Sequence, residues 1–197
     1  WGFGPEALPR NGRVWYPEGE GPFPLVLIVH GNHPMEDPSD AGYAYLGELL
    51  AGRGFIVASI DQNFLNLSLA ADLFVLSSLK SENDARGWLV LEHLRLWQAW
   101  QTTPGTPFYG KVDLDAIGLI GHSRGGEAVA IAAAFSRLPY HPDDATITFD
   151  YDVDIRAVAA IAPVDGQYRP GERRLPLEDV NYLVLHGAHD MDVITFM

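Results

Sequence analysis

Short runs of consecutive apolar residues alternate along this chain with stretches where apolar positions recur every three or four residues. The runs are Leu25–His30, Phe55–Ile60, Ala116–Ile120, Ile155–Ala162 and Asn181–His186. Each is bounded by Gly, Pro, Asn or Asp and reads as a strand buried on both faces. Helical spacing appears over Ser39–Gly52, with Ser39 or Asp40 as N-cap, Leu46, Leu49 and Leu50 as the apolar face and Gly52 as terminator. It recurs over Asn83–Gln101, where Val90, Leu94, Trp97 and Gln101 share one track and Leu89, His93, Leu96 and Trp100 its neighbour. A third helical run, rich in alanine, follows Ser123 to about Arg137. Strands alternating with helices predict right-handed crossovers and a mostly parallel sheet, an α/β fold.

The connections add detail. Residues 1–12 are rich in Gly and Pro and read as an irregular lead-in. Arg13–Pro17 reads as a strand end, and the turn-forming Glu18–Pro22 suggests a hairpin into the Leu25–His30 strand. Residues 61–80 are too apolar for a free loop. Leu67–Leu79 there predicts a short helix that either shapes a pocket or covers the core. Residues 139–154 carry Asp143, Asp144, Asp150, Asp152 and Asp154 without the spacing, Gly or terminal Glu of a calcium loop, and read as a solvated loop. On the long helix Trp97 and Trp100 read as core and His93 as a rim or core residue.

Composition narrows the classes. The chain has 197 residues, 47% hydrophobic and 20% charged, which suits one globular domain over 1–197. A net charge of −13 argues against nucleic acid or an anionic membrane surface as a partner. Cys is absent, so disulfides and thiolate chemistry are excluded. The sequence holds no apolar run long enough for a membrane-spanning helix. It opens on Trp1 rather than Met, so it carries no reading of a targeting segment, and cytoplasmic and secreted locations both stay open.

The candidate chemistry lies in Gly121-His122-Ser123-Arg124-Gly125, a G-x-S-x-G placed between a predicted strand and a predicted helix. A serine hydroxyl is a weak nucleophile and has to stand exposed on a sharp turn where a base reaches it. The helix after it points free N–H groups at a developing oxyanion, which makes one candidate source of donors. The second is the N–H of Asn32, in the turn Gly31-Asn32-His33-Pro34 at the carboxyl end of a central strand.

The order strand–HGxxP, strand–GHSRGG–helix, strand–HGxHD resembles the α/β-hydrolase fold from its third to its seventh strand. The GHSRGG form is similar to the chlorophyllase, dienelactone-hydrolase and polyester-hydrolase side of that superfamily. The resemblance implies a sheet with helices on both faces and a serine hydrolase acting on a small-molecule or polymeric ester through an acyl-enzyme, with no cofactor. It implies Ser123 as nucleophile, the Asn32 and Arg124 N–H groups as oxyanion hole, and Asp190 as triad acid, with Asp192 and Asp165 as rivals.

The same fold orders its triad Ser, acid, His, and no His follows Asp190. The eighth strand and last helix are not in the sequence either, so the expectation is a partial domain with its base supplied elsewhere or absent. Two further readings stay open. One is a catalytically impaired binding or scaffold protein. The other is metal-dependent hydrolysis through His33 or His189 with Asp37 or Asp190.

Overall fold

The computed structural model describes residues 7–66, 82–190 and 192. Among the described residues eight strands form: β1 (Gly12–Trp15), β2 (Phe23–Val29), β3 (Ile56–Ile60), β4 (Val112–His122), β5 (Tyr140–His141), β6 (Asp144–Thr148), β7 (Ile155–Ile161) and β8 (Asn181–Leu185). Three α-helices accompany them among those residues: α1 (Ala44–Ala51), α2 (Asn83–Thr102) and α3 (Arg124–Phe135). Six strands make one sheet in the order β1-β3-β2-β4-β7-β8. All its pairings are parallel except β1 with β3. The α/β class with a mostly parallel sheet is as the hydrophobic pattern predicts.

The β2 and β3 runs form central strands because nearly every side chain in them is buried, whereas the Asn181–Leu185 run, expected to be buried on both faces, is exposed along its length. Leu25, Leu27 and Val29 of β2 face α2 and α3, packing with Val90, Leu94, Trp97, Leu119, Val129 and Phe135. Val26 and Ile28 face the other way, with Val57, Leu46 and Leu50 under α1. Helices therefore flank both faces. At the sheet's end β8 pairs with β7 and leaves Tyr182, Leu183 and Leu185 about half exposed, at 45%, 53% and 51%.

Several local expectations are corrected. The strand at Gly12–Trp15 makes no hairpin with β2; it pairs antiparallel with β3. Both edges of β2 are occupied by β3 and β4, and the half-exposed β1 closes the outer edge of β3. The segment from Ser39 splits into a 3-10 turn, Ser39–Tyr43, and α1. Neither expected N-cap acts as one. Asp40 is committed to an ion pair with Arg13 at 3.1 Å, and the Ser39 hydroxyl donates to the Asp37 carbonyl. Leu49 points outward, 48% exposed, because Tyr43, Leu46 and Leu50 set the buried stripe. Gly52 does end α1, as its C-cap, and the positive φ comes two residues later at Gly54.

Residues 139–154 are not a solvated loop. They form the β5–β6 hairpin and then lay Phe149 and Tyr151 into the core beside Trp88 and Phe135. The alternation Ile147-Phe149-Tyr151-Val153 turns apolar side chains inward and the intervening aspartates outward. Trp97 and His93 are buried, as expected of the long helix. The helix expected at Leu67–Leu79 lies outside the described residues. Among the described residues no helix is long and apolar enough to cross a membrane.

Candidate active site

β2, β4, β7 and β8 run parallel, so their carboxyl ends meet on one rim. Ser123 stands there between β4 and α3 with φ 55° and ψ −120°. A non-glycine residue in that region costs about 1–3 kcal/mol and persists only when its surroundings impose it. Here the Ser123 N–H donates to the Ile161 carbonyl at 3.0 Å, and its carbonyl accepts from Gly126 N–H at 2.9 Å and Val164 N–H at 3.2 Å. The flanking glycines are required by contact: a Cβ on Gly121 would overlap the Gly125 carbonyl, and one on Gly125 would overlap the Val29 carbonyl. This is how G-x-S-x-G lets a helix start directly against the strands.

The turn after β2 lies against the serine. A Cβ on Gly31 would stand 2.9 Å from the Ser123 Cβ. The sequence-predicted donor residue Asn32 is thus next in chain to a residue touching Ser123. Arg124 is the first residue of α3, where N–H groups have no partner four residues back within the helix. Ser123, Asn32 and Arg124 are brought together at one rim.

The three candidate acids separate. Asp190 closes the turn after β8, its N–H donating to the Gly187 carbonyl, and its Oδ1 accepts the Asp192 N–H at 3.0 Å. The charges of both Asp190 and Asp192 are felt at His122, next to the serine. Asp165 is engaged elsewhere, 2.6 Å from Arg174. His122 has its pKa held below the ordinary value, first by burial and then by His33, with the two aspartates opposing.

Beside the elbow is a cavity of about 570 Å³ whose walls include His33, Pro38, Tyr43, Tyr45, His122 and Ile161. A larger groove, about 660 Å³, lies on the open sheet face along Gly118, Ala157, Ala159 and Leu183. It is away from the carboxyl ends of the strands, and Ser123 does not line it. Among the described residues no group of three or more His, Asp or Glu side chains is arranged to hold a metal ion, so the two H-G-x-H turns do not assemble a ligand set there.

Sequence reasoning missed the polar groups that brace the rim. Glu127, buried on α3, accepts from Gly166 N–H at 2.7 Å, Tyr168 N–H at 3.2 Å and the Asn83 side-chain amide. Burial pushes its pKa up, and these donors oppose the shift. Glu82 accepts from the Arg124 guanidinium and pairs with the fully buried Arg86 at 3.6 Å. The available signal was a single charge, Glu127, inside a run of Gly and Ala.

A strained serine between a central parallel strand and its helix, with a glycine turn packed on it, defines the α/β-hydrolase class. The family model for chlorophyllase matches residues 4–177, and the chain belongs to that family. It is also similar to the bis(hydroxyethyl) terephthalate hydrolase of Streptomyces coelicolor, 28% identical over 196 residues that cover 90% of this chain and 54% of that protein. The chain therefore spans about half the length of this relative.

Proposed function

We propose that the protein is a serine hydrolase that cleaves a carboxylic ester through an acyl-enzyme on Ser123, with residues 1–197 acting as one α/β-hydrolase domain. The observation that carries this reading is Ser123 itself: φ 55°, at the strand–helix junction, in contact with the Gly31 turn. Ser123 Oγ attacks the ester carbonyl carbon as its proton passes to a base. The Asn32 and Arg124 N–H groups hold the resulting oxyanion, each worth about 3 kcal/mol in the transition state. The C–O bond to the alcohol then breaks, the alcohol takes the proton, and water releases the acid in a second such cycle. Asp190 is the acid that orients the base. The relative named for bis(hydroxyethyl) terephthalate supports an ester as substrate. The tyrosine-lined cavity beside His122 suits an apolar or ring-bearing part of it.

A fluorophosphonate probe tests the reading. It should label the chain at Ser123, and Ser123→Ala should abolish both labelling and hydrolysis of p-nitrophenyl butyrate. Persistent hydrolysis in Ser123→Ala would sink it. Absence of both labelling and hydrolysis in the wild-type protein would favour a catalytically impaired binding protein instead.

A further inference from the structure

The two halves of the proposed oxyanion hole lie after different strands, and a buried run of polar groups joins them. His30, fully buried at the end of β2, donates from Nδ1 to the Gly31 carbonyl at 2.7 Å, while its Nε2 accepts the Gln62 N–H at 2.9 Å. Those two bonds define a neutral ring with its proton on Nδ1. The Gln62 side chain donates to the Arg86 carbonyl at 2.9 Å and accepts from Arg86 Nη1 at 3.4 Å. Arg86 Nη2 donates to the Leu65 carbonyl at 2.8 Å and to Asn66 Oδ1 at 2.7 Å. Its Nε lies 3.6 Å from Glu82, which also accepts from the Arg124 side chain. The run is therefore Gly31, His30, Gln62, Arg86, Glu82, Arg124.

Burying this many polar groups is costly unless each is paired, so the arrangement demands a reason. Peptide geometry supplies one. A trans peptide is planar, with C=O and N–H opposed, so fixing the Gly31 carbonyl fixes the direction of the Asn32 N–H.

We infer that His30 is a positioning residue for the ester hydrolysis proposed above: by donating to the Gly31 carbonyl it aims the Asn32 N–H at the oxyanion, and Gln62, itself held by Arg86, fixes the His30 ring from its Nε2 side. The inference rests on the hydrolase reading and adds to it a residue that touches no substrate.

Two substitutions separate the two ring nitrogens. An asparagine amide nitrogen falls near Nδ1 and keeps a donor for Gly31, whereas a glutamine amide falls near Nε2 and keeps only the link to Gln62. His30→Gln should lower kcat on p-nitrophenyl butyrate by about 100-fold with KM within about twofold, the signature of a lost transition-state contact. His30→Asn should keep kcat within about tenfold of wild type. Equal losses in both, or a smaller loss in the bulkier Gln variant, would mean that His30 merely fills space. Nitrogen-15 NMR of the unsubstituted chain reads the bond directly: the Nδ1–H tautomer is expected, and an Nε2–H tautomer overturns the inference. Hydrolysis by wild type with the wrong variant pattern sinks this inference alone; no labelling and no hydrolysis by wild type sinks the hydrolase reading and this inference with it.

Discussion

A Cβ added to Gly31 would stand 2.9 Å from the Ser123 Cβ and 3.2 Å from His122 Nδ1. The turn after β2 and the turn after β4 are thus in contact through a missing side chain. Gly31→Ala should push the two turns apart. The expected result is a fall in kcat of about 100-fold, because an oxyanion donor is displaced, with a stability loss of about 1–3 kcal/mol from overpacking. Kinetics and urea denaturation of the same sample check both. Unchanged kcat would mean that this contact does not set the site.

Ser123 holds a conformation that glycine adopts without strain. Ser123→Gly should abolish fluorophosphonate labelling yet stabilise the fold by about 1 kcal/mol. That figure is the released strain of about 1–3 kcal/mol less the extra backbone entropy of glycine, about 1 kcal/mol. A thermal melt of the variant against wild type decides it; a lower Tm would refute stored strain at the elbow.

His93 is buried on α2 with no partner for Nε2, and burial, followed by the charge of Arg10, lowers its pKa to about 4. The unfolded chain protonates near 6.5, so between about 6.5 and 4 the unfolded state holds more protons. Stability contributed by the neutral ring is present above that window and is lost as pH falls through it. At pH 5 the loss is about 2 kcal/mol, from 1.36 kcal/mol per pH unit. His93→Leu should remove it: the stability difference between pH 7 and pH 5 in urea titrations should shrink by about that amount. An unchanged pH dependence would place the acid sensitivity elsewhere.

Glu127 holds the residue 166–168 segment, which follows Asp165, onto α3 and the start of α2. Glu127→Ala strands the buried N–H of Tyr168 and the half-buried N–H of Gly166 and should cost about 2–4 kcal/mol. Hydrogen exchange localises the effect: the Gly166 and Tyr168 amides should lose protection before those of β7. Retained protection at both amides would show that other contacts hold the segment.

The strands and the elbow were readable in sequence because their information is local. A run such as Ile56–Ile60, apolar except for Ser59, reads as a strand buried on both faces and is one, and a serine flanked by glycines between such a run and an alanine-rich helix has few other uses. The Gly12–Trp15 strand was placed on the wrong partner because antiparallel pairing with β3 depends on which edge the parallel crossovers leave open. The capping role assigned to Asp40 failed for a similar reason: Arg13, distant in sequence, claims its carboxylate.

The site divides along the same line. Ser123, Arg124 and the glycine turn at Gly31 were visible because each sits at the end of an apolar run, and a parallel sheet brings such ends to one rim. What the sequence could not disclose is how they are held. His30, Gln62, Glu82, Arg86 and Glu127 look like scattered polar residues, up to 97 positions apart in the numbering, and mark nothing by spacing. Only the fold withdraws them from water, and once water is gone each has to find a partner within the protein. Hydrophobic order along the chain determined the sheet and its elbow; desolvation in the folded state decided which polar groups fix the geometry around Ser123.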